Sequence, residues 1–239
     1  MIPPSLQALF GASFRSYAEP PAAAVLRLGA AANVRLPLVP PPGPVMGAAG
    51  TGARMVRRVV RGMRDPAVRH GFERALLLAR LGALQQQGDA PYQLLARMAA
   101  RVCRTPMAAV SLLDDRTHWN QGSFGTPVDT LPLHMSFCRF ALGAPGELTV
   151  IADTRADPRA AAHPMVMHAP YLRFYAGAPL VHPQGLVLGA VCVLDHRPRQ
   201  LRPAQVQSLQ WLADVAMRTV LRRAPASAPG PMVPAPRPA

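Results

Sequence analysis

Hydrophobic residues recur at helical spacing in three stretches of this chain. From Pro66 to about Gln87 they follow one another at intervals of three and four, which predicts an amphipathic helix. A second helix is predicted from Asp89, its expected N-cap, to about Cys103. A third is predicted from Pro203 to Arg223. The residues expected on the buried side of the second helix are Leu94, Leu95, Met98 and Val102, and those of the third are Val206, Leu209, Leu212, Ala216 and Val220, with Trp211 and Val215 widening the stripe.

Between the second and third helices the pattern changes to apolar runs of strand length. Met107–Leu113 and His118–Phe124 flank the turn residues Asp114-Asp115-Arg116, which predicts a hairpin. A second hairpin is predicted from Arg173–Val181 and Leu186–Leu194, joined around Pro183-Gln184-Gly185. The segments between the hairpins are expected to form a short helix over Leu133–Leu142, a short strand over Leu148–Ala152 and a loop over Arg155–Met167. Antiparallel strands bracketed by helices predict an α+β fold with the helices packed on one face of the sheet.

Composition confines the expected folded part to the middle of the chain. Residues 1–64 show no sustained period and contain Pro-rich clusters, and residues 224–239 are rich in Ala and Pro, so we expect two disordered tails. The N-terminal tail is equally consistent with a gene start placed too early, because Met46, Met55 and Met63 are alternative starts. We therefore expect one domain over residues 65–223.

The formal net charge of +14 comes from arginine, since the 26 basic residues include no lysine. The densest basic run lies before the expected domain and comprises Arg54, Arg57, Arg58, Arg61 and Arg64. No aromatic side chain interleaves with it and no DNA-binding helix pair follows, so the pattern does not favour nucleic-acid binding. No apolar run reaches the roughly 18 residues that a membrane helix needs, and no secretory leader is recognised, so we expect a cytoplasmic protein without a membrane span.

Three cysteines, Cys103, Cys138 and Cys192, are spread along the chain. Their odd number and wide spacing argue against a disulfide framework and agree with a reducing compartment. His134 and Cys138 stand four residues apart, which is metal-ligand spacing on a helix, but a pair is only half a site and we expect no metal. There is no P-loop, no Ser-His-Asp arrangement and no pair of acids in a catalytic context, so an enzyme is not predicted.

A series of short motifs follows the order found in one family of signalling modules. The motifs are Ser136-Phe137-Cys138 with Ala141, then Asp153, Asp157-Pro158-Arg159, Arg173-Phe174-Tyr175, Gly177-Ala178-Pro179-Leu180 and Gly189 to Asp195. In these motifs the chain resembles a GAF domain, the small-ligand sensor module found beside bacterial histidine kinases and diguanylate cyclases. The resemblance extends from about Phe72 to Arg223.

The resemblance implies an antiparallel sheet of about six strands, with the terminal helices on one face and a lidded ligand pocket on the other. The pocket would lie under Ser136–Leu142 and the loop Arg155–Tyr171. It also implies sensing of a small molecule that the sequence does not identify, a homodimer formed through the helices Pro66–Gln87 and Pro203–Arg223, and a kinase or cyclase as partner. The ligand-binding residues carried over by the resemblance are Ser136, Phe137, Cys138, Phe140, Asp153, Arg173 and Tyr175.

Two of these positions have more than one chemical interpretation. Strand alternation places Arg173 and Tyr175 on one face, where they suit an anionic or planar ligand. Alternatively, Arg173 pairs with Asp153 or Asp157 and holds the loop in place. Cys138 is either a reactive thiol above the pocket or a small buried apolar residue.

The chain also departs from the family pattern. Phe140 stands where relatives often have a histidine, and His163 stands where Asn is usual. Arg139 follows Cys138, whereas a histidine follows the attachment cysteine of bilin-binding relatives, so we expect no covalent bilin. Two alternative functions stay open, a degenerate scaffold that binds nothing and a thiol-dependent reductase of free methionine sulfoxide. The reductase needs a resolving thiol near its nucleophile, whereas Cys103 is expected on a core helix and Cys192 in a core strand.

Overall fold

A computed structural model describes residues 60, 63–85, 88–126, 130–143 and 145–225 of the chain. The tails predicted over 1–64 and 224–239 lie almost entirely outside these residues, and so does most of the arginine run that begins at Arg54. The chain divides into two units, Met1–Arg69 and His70–Ala239, and the sheet described below belongs to the second.

The described helices are α1 (Pro66–Arg80), α2 (Ala90–Cys103), the single turn α3 (Pro164–Met167) and α4 (Pro203–Arg222). The predicted helix to Gln87 ends earlier, at Arg80, because Gly82 takes a left-handed φ of 57°, and a 3₁₀ turn follows. Asp89 is the N-cap residue of α2, as predicted, but its side chain forms an ion pair with Arg223 and makes no capping hydrogen bond. None of the helices in the described ranges is long and apolar enough to cross a bilayer.

Six strands form one antiparallel sheet in the order β3-β2-β1-β6-β5-β4. Their bounds are β1 (Met107–Leu113), β2 (Thr117–Phe124), β3 (Thr130–Pro132), β4 (Thr149–Ile151), β5 (Phe174–Val181) and β6 (Val187–Asp195). Both predicted hairpins are present, and β1 and β6 join them in the middle of the sheet. The predicted α+β class is therefore confirmed. Strand β3 has only three residues and was not identified from the residue pattern.

The turn of the first hairpin is organised by Asp114. Its Oδ1 accepts the backbone N–H groups of Arg116 and Thr117 at 2.8 and 2.6 Å, and its Oδ2 accepts the indole N–H of Trp119 at 2.6 Å. The buried Arg74 of α1 donates to the carbonyl oxygen of Asp114 at 3.0 Å. The side chain of Asp114 thus fixes the turn, and its carbonyl oxygen holds α1 against the turn.

The main core lies between the sheet and the helices α2 and α4. The buried residues of α2 are Tyr92, Leu95, Ala96, Ala99, Ala100 and Cys103. Of the four residues predicted to face the core, Leu94, Met98 and Val102 are instead exposed, as is Trp211 on α4, so these predictions of burial are wrong. The cause is the close approach of α2 to the sheet, since a Cβ atom on Gly122 would lie 2.4 Å from the Tyr92 carbonyl carbon. Such an approach favours alanine over larger residues on the contact face.

The opposite face of the sheet is covered by a short helical segment. The single helix predicted over Leu133–Leu142 is in fact two 3₁₀ segments, Leu133–Met135 and Phe137–Gly143, because Ser136 between them is extended. The second segment, which we call the lid, packs against β1, β5 and β6. Beneath the lid the sheet contributes the buried residues Ser111, Tyr175 and Cys192.

Candidate functional site

Aromatic side chains fill the layer between the lid and the sheet. The ring centroid of Phe137 lies 4.4 Å from that of His163, 5.6 Å from that of Tyr175 and 5.8 Å from that of Phe140. Phe137 and Tyr175 are buried, whereas Phe140 is half-buried with the Arg139 guanidinium 4.8 Å above its ring. The structure thus brings together the predicted site residues Phe137, Phe140 and Tyr175. It adds His163, which was not among the predicted site residues.

Ser136 fixes the start of the lid. Its Oγ accepts the backbone N–H of Cys138 at 3.1 Å and lies 2.6 Å from Nδ1 of His118 on β2. Both Ser136 and His118 are buried. His118 was not predicted as a site residue, since its contact with Ser136 joins two residues that lie 18 positions apart in the chain.

Cys138 on the lid meets Cys192 on β6. Their Sγ atoms are 3.5 Å apart, and the Ser111 Oγ lies 3.9 Å from the Cys138 sulfur. Hydrogen bonding from the Cys192 thiol lowers the pKa of Cys138, and His118 and Ser111 act in the same direction against the effect of burial. The pKa of Cys192 is raised, first by the bond to Cys138 and then by burial. Of the two thiols, Cys138 is therefore the one that ionises more easily. The sequence analysis did not bring these two residues together.

Two polar atoms in this layer, the Tyr175 hydroxyl and His163 Nε2, are buried without a hydrogen-bond partner among the described residues. Burial raises the pKa of Tyr175, and negative charge at Cys138 adds to the effect. Burial lowers the pKa of His163 to about 4, helped by the charges of Arg139 and His134. These groups are buried, neutral hydrogen-bond donors and acceptors.

Asp153 and Arg173 form a two-pronged ion pair. Arg173 Nε donates to Asp153 Oδ1 at 3.0 Å and Nη2 donates to Oδ2 at 2.8 Å. The Arg173 hydrogen bonds lower the pKa of Asp153. Asp157, the other carboxylate considered for Arg173, pairs with Arg159 instead. The pair with Asp153 joins the loop after β4 to the start of β5.

The structure does not give His134 and Cys138 the helical relation on which a shared metal would depend. The extended Ser136 separates them, and His134 is exposed whereas Cys138 is buried. Across the described ranges, no group of three or more His, Cys, Asp and Glu residues is placed to hold a metal ion.

A shallow apolar groove runs between α2 and α4 on the other side of the sheet. Its volume is ≈ 360 Å³, and its lining is Met98, Val102, Gln207, Ser208, Trp211 and Leu212. Trp211 is 55% exposed, and Leu94, which precedes Met98 by four residues on α2, is 59% exposed. Large apolar side chains grouped in this way are typical of a surface that contacts another protein.

Comparison with known proteins agrees with the resemblance to GAF domains. The model of the family described as GAF domain matches residues 89–220. A cyclic di-GMP phosphodiesterase of Pseudomonas aeruginosa is 36% identical over 141 residues, which cover 59% of this chain and 24% of that protein. The chain therefore spans about a quarter of the length of this relative.

Two solved structures resemble the chain at lower identity. One is a methyl-accepting chemotaxis protein, 18% identical with a TM-score of 0.46, the match covering 60% of this chain and 95% of that one. The other is the free methionine-R-sulfoxide reductase of Neisseria meningitidis, 16% identical with a TM-score of 0.45, covering 68% and 95%.

Proposed function

Because the chain belongs to the GAF domain family, we propose that it is a sensory or regulatory domain of a signalling system, without catalysis of its own, acting in the cytoplasm. In this proposal a small polar molecule binds beneath the lid, and the signal leaves through a helix-mediated dimer to a partner such as a kinase or cyclase. The observation that carries it is the pair of buried, unpartnered polar groups of Tyr175 and His163 beside Phe137. Each such group costs about 1–3 kcal/mol, which a ligand with matching donors and acceptors would recover.

Entry of a ligand requires the lid to move, since Phe137 and Cys138 fill the layer above the sheet. A molecule that binds the open arrangement better than the closed one shifts the population towards it. The aromatic rings of Phe137 and His163 favour a planar ligand, which would stack between them and hydrogen-bond to Tyr175. Arg173, whose ion pair with Asp153 fixes the neighbouring loop, would donate to an anionic group of the ligand if that ion pair opened.

A second copy of the chain is the occupant that we propose for the groove between α2 and α4. Helix α2 packs on β1 and β2, and α4 packs on β5 and β6, so both helices contact the strands that carry the lid. A change of the sheet beneath the lid therefore acts on the surface where two copies would meet. Our sequence-based expectation pairs α1 with α4, and α1 does carry the exposed Val68, whereas this groove lies between α2 and α4.

The substitution Trp211→Glu is expected to convert the dimer to a monomer. A half-exposed tryptophan at the centre of an interface is worth about 2 kcal/mol or more, so self-association should weaken about 30-fold or more. Light scattering during size-exclusion chromatography measures this change. The control is Ala79→Glu on the exposed side of α1, which should leave the dimer intact. Dissociation by Ala79→Glu alone would place the interface on α1 instead.

Removing the Tyr175 hydroxyl is expected to stabilise the free protein and to weaken its binding of the ligand. In the free protein, Tyr175→Phe should raise the free energy of unfolding by about 1 kcal/mol, because it deletes an unpartnered buried group. The same variant should bind the ligand more weakly. Tyr171→Phe, at a residue that is 53% exposed, is the matched control. A marked loss of stability in Tyr175→Phe would mean that the hydroxyl is already satisfied within the fold.

Native mass spectrometry of the purified chain, before and after denaturation, tests the proposal as a whole. A mass excess that disappears on denaturation would reveal and weigh a bound ligand, and the same spectrum counts the subunits. The excess should be absent from Tyr175→Phe and present in Tyr171→Phe. A ligand-free monomer under all conditions would overturn the sensory proposal in favour of a scaffold.

A second candidate, a thiol-dependent reductase of free methionine sulfoxide, is favoured by one observation. The Cys138 and Cys192 sulfurs are 3.5 Å apart, which is the proximity that a nucleophile and a resolving thiol require. Turnover of free methionine sulfoxide in the presence of a dithiol, lost in Cys138→Ser, would establish this activity. Binding without turnover would leave the sensory proposal in place.

A further inference from the structure

Two thiols connect the lid to the centre of the sheet. Cys138 lies in the lid and Cys192 lies in β6, where its neighbours on β1 and β5 are Ala109 and Gly177. Neither cross-strand neighbour has a side chain larger than a methyl group, and the space above Gly177 is occupied by the Tyr175 hydroxyl. A disulfide has an S–S length of about 2.05 Å, so the sulfurs, now 3.5 Å apart, would have to approach by about 1.5 Å. A shift of that size in a seven-residue 3₁₀ segment is a local adjustment.

The two sulfurs differ in chemical character. The Cys138 sulfur lies 3.5 Å from the Cys192 sulfur and near His118 and Ser111, and these contacts lower the pKa of Cys138. The pKa of Cys192 is raised. A thiolate is the nucleophilic form of cysteine, so Cys138 is the attacking sulfur and Cys192 the resolving one.

Cys103 provides a contrast within the same chain. It is buried at the end of α2, in the core on the other face of the sheet, and burial raises its pKa to about 11. It therefore has neither a thiolate nor a partner thiol in position. Any chemistry specific to the lid should leave Cys103 unchanged.

We propose that Cys138 and Cys192 form a redox-active dithiol site, which a hydroperoxide such as hydrogen peroxide oxidises to an intramolecular disulfide. The Cys138 thiolate attacks one peroxide oxygen, so that an S–O bond forms, the O–O bond breaks and the departing hydroxide takes up a proton to become water. The Cys192 sulfur loses its proton and attacks Sγ of the Cys138 sulfenic acid. The S–S bond forms, the S–O bond breaks and a second water leaves. Two thiols have then supplied the two electrons that reduce the peroxide.

The disulfide would attach the lid to β6. In the reduced protein the lid can open by local unfolding, whereas in the oxidised protein it is held over Tyr175 and His163. Oxidation would therefore control access to the layer beneath the lid. This inference does not depend on which ligand binds there or on whether any ligand binds.

Peroxide treatment of the reduced, full-length chain tests the proposal. After treatment, the remaining thiols are alkylated in denaturant and the protein is digested with trypsin without reductant. The three cysteines fall in separate tryptic peptides, Cys103 in residues 102–104, Cys138 in 117–139 and Cys192 in 174–199. The expected result is loss of alkylation at Cys138 and Cys192, a linked pair of the last two peptides, and reversal by dithiothreitol. Cys103 should stay fully alkylated.

Two variants make the test specific. In Cys192→Ser, the sulfenic acid of Cys138 has no resolving thiol and should be trapped by dimedone. Cys103→Ser should form the disulfide as the wild type does. The proposal is overturned if all three thiols stay alkylated after peroxide, if the disulfide involves Cys103, or if it links only separate chains. Because the readout is covalent, it is independent of the native mass measurement that tests ligand binding.

Discussion

Replacing Gly122 with alanine is expected to lower the free energy of unfolding by about 3 kcal/mol, at the upper end of the cost of overpacking. A Cβ atom at this position would lie 2.4 Å from the Tyr92 carbonyl carbon and 2.6 Å from the Gln93 backbone nitrogen. Both are backbone atoms of α2, so the strain can be relieved only if the helix moves away from the sheet. For a domain of this size the loss corresponds to a melting temperature roughly 6–12 °C lower.

Thermal and denaturant unfolding followed by circular dichroism measure this effect. The matched control is Gly143→Ala in the lid, because no heavy atom lies within 4 Å of the position of its Cβ. That variant should unfold within about 0.5 kcal/mol of the wild type. Equal stabilities for the two variants would show that α2 does not lie as close to β2 as the structure has it.

Acidification from pH 7 to pH 4.5 is expected to destabilise the wild type by about 2–3 kcal/mol more than it destabilises His163→Asn. In the folded chain the pKa of His163 is lowered to about 4 by burial, whereas in the unfolded chain it has the ordinary value of about 6.5. Between these values the unfolded chain binds a proton that the folded chain does not. Stability is therefore complete above pH 6.5 and falls, by about 1.36 kcal/mol per unit, as the pH drops towards 4.

The hydrogen bonding of His163 also disfavours its protonated form in the folded chain. Its Nδ1 accepts the backbone N–H of Met165 at 3.2 Å, so protonation at Nδ1 would set two N–H groups against each other. Asparagine can keep this acceptor at the N-cap of α3 without titrating. Urea denaturation across the pH range gives the comparison, and the control is His70→Asn on the exposed side of α1. Acid effects of Asp153, Asp157 and His182 are common to all variants and cancel. Parallel profiles for wild type and His163→Asn would contradict the prediction.

The hairpins were predicted to within one residue at each end because their apolar runs are bounded by strong turn residues. The buried face of α2 was predicted wrongly, since helical periodicity assigns the largest apolar residues to the core. Here the gap between helix and sheet is set by Gly122, and alanine fits that gap where leucine and methionine do not. The exposure of Trp211 has a similar origin, because Leu212, Ala213 and Ala216 already occupy the inner side of α4.

The candidate site was predicted only in part. Ser136, Phe137, Cys138 and Tyr175 were found from the order of motifs, and the structure groups them in the lid and in the layer next to it. Cys192, His118 and His163 reach the same layer through contacts with residues 136–138, which are far from them in the chain, and local patterns do not encode such contacts. One signal for Cys192 was present, since it lies between Val191 and Val193, whose side chains face the helices, and strand alternation turns Cys192 to the lid.

The sheet ends on both sides in a strand of only three residues, β3 and β4, and Pro132 closes β3. A short outer strand offers few backbone donors and acceptors to another chain, and proline contributes no donor at all. Addition of a foreign strand, the usual route by which exposed sheets aggregate, is therefore poorly supported at either side. Copies of the chain are therefore expected to contact each other through the helices α2 and α4, where side chains rather than backbone groups determine the specificity of the contact.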